Sequence, residues 1–490
     1  MSNVKKLTLL HSNDMHGDFL AEEVDAQLIG GVSMLSGYVS KVREEEKNSI
    51  YCIAGDMFRG SVIDSEFRGI STIEIMNMLS PDVVTIGNHE IDYGISHLLF
   101  LEKCAKFPII NANLHINTNN ARLFKSHHII EIDGMKILFI GVLTDTVVSM
   151  ARKEAFIGGL VDVCDAVAEV ERICNAYNSL DIDCTVLLTH IGFEEDKILA
   201  SQLDPSLGVD IIIGGHSHTL LEKPEIVNGI LIAQAGIGTD QIGRFDLEID
   251  TDTNSISGYS WSSIPITDEH CPRDMALEDI LNRYKKEVDK KYNRVVTRFK
   301  RRLTHPSWYQ ETEIGGLLAD ILQESLRLDM MLVGSGSIRV KEMGPIVLFS
   351  DLTECLPYDD SAIALWVSGA QLEKMILFML RDEVWDGANC EFFQFSRGVR
   401  IVYDKGAHSL KELSLNGDRI EASKIYKIGL QHYFYLNILD FFSISHEEIE
   451  VNAKPRQIAS SCREILDEYL SHHQNSDHQI SGRLIIEWHE

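Results

Sequence analysis

Five short polar clusters each follow an apolar run that is long enough for one buried strand. They read Asp-x-His, Gly-Asp, Gly-Asn-His-Glu, Thr-His and Gly-Gly-His-Ser-His, in that order along the chain. Together they contain seven side chains that can bind a metal, namely Asp14, His16, Asp56, Asn88, His190, His216 and His218. Because sites in open α/β sheets collect at the carboxyl ends of strands, we expect these side chains to meet at one place.

These donors are carboxylate, amide and imidazole groups, and their number exceeds the needs of one ion. One divalent ion takes roughly four to six donors, so seven with a central carboxylate predict two ions about 3.5–4 Å apart, bridged by Asp56 and a water molecule. Imidazole and carboxylate without thiolate favour Mn, Zn, Fe or Co over Ca. A lone Asp-x-His or His-x-His is more often a chance occurrence, so the inference depends on all five clusters together.

The elements that must position these residues can be read from the apolar pattern. In the first 250 residues, short β-branched runs alternate with longer mixed segments. The runs predict buried strands, and the intervening segments predict helices over 34–47, 70–79, 95–106 and 160–179. This alternation predicts a layered α/β domain with one or two central sheets.

The second half of the chain has a different organisation. Residues 272–302 are highly charged with apolar residues at helical spacing, which predicts a linker helix; a surface helix of the first domain fits almost as well. Beyond it we predict helices over 313–327 and 369–381, and strands around 330–333, 346–349, 398–403, 411–415 and 426–430. The predicted domains are therefore 1–270 and 303–490, joined by a linker over 271–302.

Charge, cysteine content and apolar runs limit which binding partners and which cellular compartment we expect. A formal net charge of −29 argues against a nucleic-acid polymer as partner, although it leaves room for a small anionic substrate. The nine cysteines form no Cys-x-x-Cys pair, which is typical of reduced thiols. We find no apolar run of membrane-spanning length and no room for a signal peptide before Asp14, so we expect a cytoplasmic protein that does not bind membranes. The oligomeric state stays open.

The ordered clusters resemble the signature of the metallophosphoesterase superfamily. Within it, SNDMHGDF, AGDMFRGS, GNHEIDYG and GGHSHT are similar to segments of the 5′-nucleotidase family. In the second half, DMMLVGSGSIRVKEMGPI, LPYDDSAIALWVSGAQL and FFQFSRGVRIVYD resemble that family's glycine-rich, PFGN–TGAQL and aromatic-strand segments. The resemblance covers almost the whole chain. It implies a four-layer αββα domain that carries the metals, a linker helix, and a smaller α+β C-terminal domain that binds the substrate.

The resemblance also implies roles for individual residues. One metal would be held by Asp14, His16, Asp56 and His218, and the other by Asp56, Asn88, His190 and His216. Asn88 would also contact the phosphate. His89 and Asp92 would form a catalytic dyad, in which an imidazolium stabilises or protonates the leaving oxygen. The implied reaction is direct attack by a metal-activated hydroxide on phosphorus, without a protein nucleophile.

Substrate recognition is implied for four residues of the second domain. Arg339 matches the arginine of the family's NGGGIR segment and predicts a phosphate contact. Phe395 and Tyr433 match two aromatic residues that enclose a nucleobase, although core packing is an even alternative for each. For Arg397 we expect a contact with a second phosphate or another anionic group, or alternatively a solvated position on the surface. The glycine-rich segment is altered to Gly-Ser-Gly-Ser, and the family's GGDG segment is replaced by LNILDFF.

Three functions are compatible with these residues. The first is hydrolysis of nucleoside 5′-monophosphates to nucleoside and phosphate. The second is a phosphodiesterase or pyrophosphatase that acts on 2′,3′-cyclic nucleotides, nucleotide sugars or dinucleotides. The third is a non-catalytic binding protein on the same fold, against which the retention of all seven metal-binding side chains argues. A protein Ser/Thr phosphatase has similar metal motifs, but the second domain argues against it.

Overall fold

The computed structural model describes residues 3–144, 161–385 and 391–487. They form two compact units, Met1–Val288 and Asp289–Glu490, which we call the N-terminal unit and the C-terminal unit. Both units mix helices with sheets, and the predicted combination of an α/β domain with a separate second domain is confirmed. The finer bounds of 1–270, 271–302 and 303–490 stay a prediction.

Two six-stranded sheets form the centre of the N-terminal unit. In spatial order, the first sheet consists of Ser255–Pro265, Gln241–Asp250, Val4–Ser12, Ser49–Ala54, Val83–Thr85 and Ile109–Ile110. The second consists of Glu225–Val227, Ile230–Ala233, Ile211–Ile213, Cys184–His190, Met135–Leu143 and His127–Ile132. Smaller sheets pair Val161–Val163, Leu114–Ile116 and Ala121–Arg122, and Glu22–Val24 with Gln27–Ile29.

The two sheets pack face to face, and helices cover their outer faces. Leu9 and Phe245 of the first sheet share one buried core with Phe139 and Val186 of the second. The other face of the second sheet packs against helices that contribute Val170 and Leu199. The described helices of the unit are Val32–Glu45, Val62–Phe67, Ile70–Leu79, Ile95–Cys104, Ala166–Tyr177 and Phe193–Gln202, with 3-10 turns at His89–Ile91 and Pro205–Leu207. The helix Met275–Tyr292 begins in this unit and ends four residues after its last residue, Val288. The helix Val32–Glu45 contacts the first sheet, which completes the predicted four layers.

The strands that precede the polar clusters run parallel and end in register. In the first sheet, Ser12 pairs with Ile53, and Ala54 pairs with Thr85. In the second sheet, Leu188 pairs with Ile213. Because parallel strands in register end at the same edge, each sheet presents its polar clusters together.

Two helix predictions need comment. The helix predicted over 160–179 begins only at Ala166, because Val161–Val163 pair with Leu114–Ile116 and the Asp165 side chain accepts a hydrogen bond from the Ala168 amide. Residue 160 lies outside the described residues. The charged segment forms the helix Met275–Tyr292, whose buried side chains are Leu277, Leu281, Tyr284 and Val288. This spacing is the apolar stripe expected from the sequence.

The C-terminal unit is built on a mixed five-stranded sheet. In spatial order its strands are Phe393–Phe395, Met330–Gly334, Ile425–Gln431, Ala362–Ser368 and Arg456–Ala459. A four-stranded sheet contains Asp418–Arg419, Ser409–Leu415, Val399–Asp404 and Leu484–Glu487, and two short pairs join Val295–Arg298 to Ile346–Leu348 and Leu303–Thr304 to Glu342–Met343. The helices are Glu313–Leu326, Phe349–Cys355, Gly369–Met379, His432–Leu436, Ile438–Phe442, His446–Glu450 and Cys462–His472, with 3-10 turns at Ser335–Ser337 and Asp382–Val384.

Two cores lie on opposite faces of that five-stranded sheet. Along one strand, Met330 and Leu332 belong to one core, whereas Met331 and Val333 belong to the other. This alternation follows from the two-residue period of a strand. All eight cysteines in the described part of the chain are free thiols. None of the helices that the structure describes combines the length and apolar character needed to cross a membrane.

Candidate metal centre

The first sheet supplies two buried carboxylates to the candidate centre. Asp14 follows Val4–Ser12, Asp56 follows Ser49–Ala54, and both are almost fully buried. Their φ angles are 50° and 53°, in the left-handed region. Such a backbone costs roughly 1–3 kcal/mol and persists only where neighbouring contacts impose it, which is common at functional sites. Here the Asp14 amide donates to the carbonyl of Gly55, and His216 donates its amide to the Asp14 carboxylate.

The second sheet supplies three imidazoles, and Asn88 of the first sheet lies beside two of them. The Oδ1 atom of Asn88 lies 2.8 Å from His216 Nδ1 and 3.2 Å from His190 Nε2. His190 Nε2 lies 3.0 Å from Asp56 Oδ2. On the other side, His218 Nε2 lies 3.6 Å from Asp14 Oδ1. The ends of both sheets therefore meet at one cluster.

Three groups of side chains place their donor atoms within 4.8 Å of one another. The groups are Asp14, His16 and His218; His16, Asp56 and His89; and Asp56, His190 and His216. The first and the third correspond to the two predicted ion sites, with Asp56 Oδ2 lying 3.9 Å from His16 Nε2 on one side and 3.0 Å from His190 Nε2 on the other. The structure thus brings all seven predicted metal-binding side chains together.

The orientation of the imidazole rings tests whether a cation fits this cluster. His190 Nδ1 lies 2.8 Å from the carbonyl oxygen of Ala54, and His16 Nδ1 lies 3.1 Å from that of Arg59. A carbonyl oxygen only accepts, so each ring holds a hydrogen on Nδ1 and turns Nε2 inward. His16 Nε2 lies 3.1 Å from His218 Nε2. Metal-binding histidines are held in this way by their outer nitrogen, so the residues fit divalent cations.

The electrostatics of the cluster also favour a cation. Burial raises the pKa of the Asp56 carboxyl, but the charge and hydrogen bond of His190 outweigh burial and lower that pKa to about 2. Burial lowers the pKa of His190, but Asp56 outweighs it and raises that pKa to about 9. Without a cation, the Asp56 carboxylate therefore favours an additional proton on the His190 imidazole. Because metals bind neutral imidazole, metal binding displaces this proton.

His89 and Asp92 lie next to this cluster as a hydrogen-bonded pair. His89 Nδ1 lies 2.7 Å from Asp92 Oδ2, and the same oxygen accepts a hydrogen bond from Arg59 Nε at 2.8 Å. The hydrogen bond to Asp92 is the largest cause of a raised pKa of the His89 imidazole. The His89 ring centroid lies 5.2 Å from that of His16. The pair therefore lies directly beside the candidate metal-binding side chains.

Two supporting residues were not assigned a role from the sequence. Glu90 is fully buried, and its carboxylate accepts hydrogen bonds from the amides of Asp56 at 3.0 Å and Met57 at 2.7 Å. Burial, with a further contribution from Asp56, raises the pKa of Glu90 to about 7. Asn13 donates from Nδ2 to Asp14 Oδ2 at 2.7 Å. Asn13 stands directly before Asp14, and Glu90 stands two residues after Asn88. This position inside the polar motifs is the sequence signal that could have identified both residues.

Two family models match the chain, one in each half. The model for the calcineurin-like phosphoesterase matches residues 7–220, and the model for the 5′-nucleotidase C-terminal domain matches residues 293–442. The chain therefore carries a calcineurin-like phosphoesterase domain and a 5′-nucleotidase C-terminal domain. It is a phosphoric ester hydrolase of a family that uses divalent metals.

Known proteins resemble this phosphoesterase over both halves. It is 25% identical to the 5′-nucleotidase of Mus musculus, over 98% of this chain and 90% of that protein. It is also 25% identical to the trifunctional nucleotide phosphoesterase protein YfkN of Bacillus subtilis, over 87% of this chain and 31% of that protein. A 5′-nucleotidase precursor from Thermus thermophilus shares the fold, with a TM-score of 0.61 and 22% identity over 98% of this chain and 99% of that one.

The C-terminal unit of this phosphoesterase exposes Arg339. Its guanidinium carbon lies 5.9 Å from the ring centroid of Trp308 and 5.8 Å from that of Tyr358, and both rings are exposed. Among the described residues, no hydrogen bond or ion pair of the Arg339 side chain is found. Aromatic faces hold a guanidinium in place without neutralising it, so Arg339 keeps a charge that an anion can use.

The other three predicted substrate residues have different surroundings. Phe395 is 4% exposed and packs within a core of the C-terminal unit, which agrees with the alternative of core packing; stacking of its ring on a base stays a prediction. Arg397 is exposed and its Nη2 donates to Glu324 at 2.6 Å, which agrees with the alternative of a surface arginine; its contact with an anionic group of the substrate stays a prediction. Tyr433 is 57% exposed and contacts the rings of Phe434 and Phe441, which leaves its hydroxyphenyl group accessible.

Proposed function

We propose that this chain hydrolyses the phosphate esters of nucleotides, with conversion of nucleoside 5′-monophosphates to nucleoside and phosphate as its main reaction. The observation that carries the proposal is the convergence of seven donor side chains from two sheets, with Asp56 between two imidazole groups. The similarity to the mouse 5′-nucleotidase along nearly the whole chain supports a nucleotide as substrate. We propose Mn, Zn, Fe or Co as the bound metals, since no thiolate is among the donors.

The residues of the centre divide the chemistry between them. Two divalent ions held by these side chains would supply positive charge to the phosphate oxygens and lower the pKa of water. Asn88 presents an amide toward the same place and can donate from Nδ2 to a phosphate oxygen. Asp92 accepts the Nδ1 hydrogen of His89, so the raised pKa keeps this imidazole charged to higher pH than a free histidine. The charged ring can then give its Nε2 proton to the leaving oxygen.

A second candidate function is hydrolysis of phosphodiesters or pyrophosphates, including 2′,3′-cyclic nucleotides, nucleotide sugars and dinucleotides. The burial of Phe395 favours this candidate, because one of the two rings expected to enclose a base lies in the core. Weaker recognition of the base would allow the site to bind substrates that differ from a nucleoside monophosphate in the groups attached to the phosphate. The trifunctional nucleotide phosphoesterase among the relatives is consistent with that breadth.

The first experiment is a test of metal-dependent phosphate release. The protein is stripped with a chelator, resupplied with Mn²⁺, and assayed with nucleoside monophosphates, 2′,3′-cyclic nucleotides and nucleotide sugars. We expect release that is absent after stripping, is restored by Mn²⁺, and is fastest with a nucleoside 5′-monophosphate. Fastest turnover of a cyclic nucleotide or nucleotide sugar would instead support the second candidate. No release from any compound with Mn²⁺, Zn²⁺ or Co²⁺ would contradict both.

The two arginines of the C-terminal unit provide a matched comparison. Arg339→Ala removes a guanidinium that forms no hydrogen bond or ion pair with a carboxylate among the described residues, although its charge partly offsets the burial that raises the pKa of Glu391. Arg397→Ala removes a guanidinium that is hydrogen-bonded to Glu324. A charge-assisted hydrogen bond contributes about 1.5–3 kcal/mol, so we expect Arg339→Ala to raise KM about 10- to 100-fold. We expect Arg397→Ala to change KM less than about threefold. Steady-state kinetics with the best substrate decide this, and equal effects of both variants would contradict the assignment of Arg339.

A further inference from the structure

The loop that carries His216 and His218 has an unfavourable backbone. Both residues have positive φ angles, 80° and 54°. Each such residue costs roughly 1–3 kcal/mol unless its surroundings impose the conformation. The His216 amide donates to the Asp14 carboxylate from the side of the first sheet. Further hydrogen bonds reach the loop from the second sheet.

Gln234 lies beneath this loop and is fully buried. Its Nε2 donates to the carbonyl of Gly215 at 3.1 Å. Its Oε1 accepts hydrogen bonds from Ser217 Oγ at 3.0 Å and from the Thr219 amide at 3.0 Å. One side-chain amide therefore binds the residues before, between and after the two histidines. A buried amide whose groups are all engaged in this way rigidifies the segment that it binds.

Asp196 extends the same network to the third histidine of the second sheet. It is fully buried near the start of the helix Phe193–Gln202, and its Oδ1 accepts a hydrogen bond from Thr189 Oγ1 at 2.6 Å. Thr189 directly precedes His190. Asp196 Oδ2 lies 3.5 Å from Gln234 Nε2. The network thus connects the strand that ends in His190 to the loop of the other two histidines.

The close packing of this network explains why a glycine, Gly214, begins the Gly-Gly-His-Ser-His cluster. A Cβ atom at Gly214 would lie 2.1 Å from Asp196 Oδ2 and 2.8 Å from Gln234 Nε2. No larger residue fits without displacing the two side chains that hold the loop. The glycine therefore permits the approach of the network to the backbone just before His216.

We propose that Gln234 and Asp196 are positioning residues, which fix the orientation of His190, His216 and His218 and thereby set the affinity of the centre for divalent cations. The inference deepens the proposed function and rests on it, since it takes these histidines to be metal ligands. Residues that orient ligands typically change metal affinity about 10- to 100-fold when they are replaced. Neither residue is expected to contact the substrate.

The test measures Mn²⁺ binding to the chelator-stripped full-length protein by calorimetric titration, without substrate. We expect Gln234→Leu to weaken Mn²⁺ binding about 10- to 100-fold. The matched control is Gln394→Leu, because Gln394 is also a buried glutamine whose amide bonds to the Gln310 carbonyl and the Thr312 amide, in the C-terminal unit. This control is expected to lower thermal stability and to leave Mn²⁺ affinity unchanged.

A milder variant keeps the test decisive if Gln234→Leu does not fold. Ser217→Ala removes one hydrogen bond to Gln234 at an exposed position, and we expect it to weaken Mn²⁺ binding about three- to tenfold. Wild-type affinity in whichever of the two variants folds would overturn the positioning role, as would an equal loss in Gln394→Leu. Absence of Mn²⁺ binding in the wild-type protein would overturn the metal centre itself, which is a distinguishable outcome.

Discussion

Asp56→Asn is expected to lower kcat for phosphate release about a thousandfold in the presence of saturating Mn²⁺. The Asp56 carboxylate lies 3.0 Å from His190 Nε2 and 3.9 Å from His16 Nε2, and its Oδ1 accepts the amide hydrogen of His89. An asparagine side chain has the same size as aspartate, but it is neutral and has an NH2 group in place of one carboxylate oxygen. It therefore cannot bind two cations as the Asp56 carboxylate can. A loss of about 4 kcal/mol of charge stabilisation corresponds to about a thousandfold in rate.

A carboxylate elsewhere in the N-terminal unit is the control for this variant. Asp183 is also buried, and its Oδ2 accepts a hydrogen bond from the Lys136 amide at 2.8 Å, which an asparagine oxygen can still accept. Asp183→Asn is therefore expected to retain kcat within about threefold. Phosphate release at several Mn²⁺ concentrations provides the measurement. Substantial activity of Asp56→Asn would show that this carboxylate does not bridge two ions.

Arg483→Met is expected to reduce the stability of the C-terminal unit by about 3–5 kcal/mol. Arg483 donates from both terminal nitrogens to Asp320, at 2.7 and 2.8 Å, and also to the carbonyl of Phe395 at 2.7 Å. The two side chains are only 6% and 11% exposed. Removal of the arginine leaves the Asp320 carboxylate buried without its principal cation, and the desolvation penalty of that charge is then no longer offset.

Calorimetric unfolding of the full-length chain measures this effect. For a domain of this size, the expected loss corresponds to a decrease in Tm of roughly 6–20 °C. Arg397→Met is the comparison, because about half of this side chain is exposed; it pairs with Glu324 at 2.6 Å and only at 3.9 Å with Asp320. Such exposed pairs contribute less than about 1 kcal/mol. The double variant Arg483→Met/Asp320→Leu is expected to recover part of the loss, since it removes the isolated charge. An equal Tm for both single variants would contradict the argument.

The clustering of the candidate metal-binding side chains could be predicted from the sequence because its signals are local. Each donor, such as Asp56 or His190, stands in a polar cluster at the end of an apolar run, and buried parallel strands leave few alternatives for where such runs end. The layered α/β fold follows from the same runs. The helix predicted over 160–179 failed at its start because pairing of Val161–Val163 with Leu114–Ile116 depends on residues about 45 positions away. No local pattern reports such a contact.

The surroundings of the predicted substrate residues were harder to predict from the sequence, because tertiary packing decides which side chains are exposed. Phe395 stands on a strand next to Met330–Gly334, and the sheet buries its ring in a core. Arg397 meets Glu324, which lies 73 residues earlier in the chain. The sequence also assigns no role to Glu90 and Gln234, since the partners of Glu90 and two of the partners of Gln234 are backbone groups that sequence motifs do not specify.

The hydrogen bond from His190 to the Ala54 carbonyl joins a metal-binding side chain of the second sheet to the backbone of the first. The candidate centre therefore lies between the two sheets, with Asp14 and Asp56 after strands of the first sheet and His190 at the end of a strand of the second. The distance between the two sheets is set by the apolar side chains that pack between them, which include Leu9 and Phe139. These apolar side chains thus act as a spacer, and residues that are not themselves candidate metal ligands take part in setting the distance between the two groups of donors.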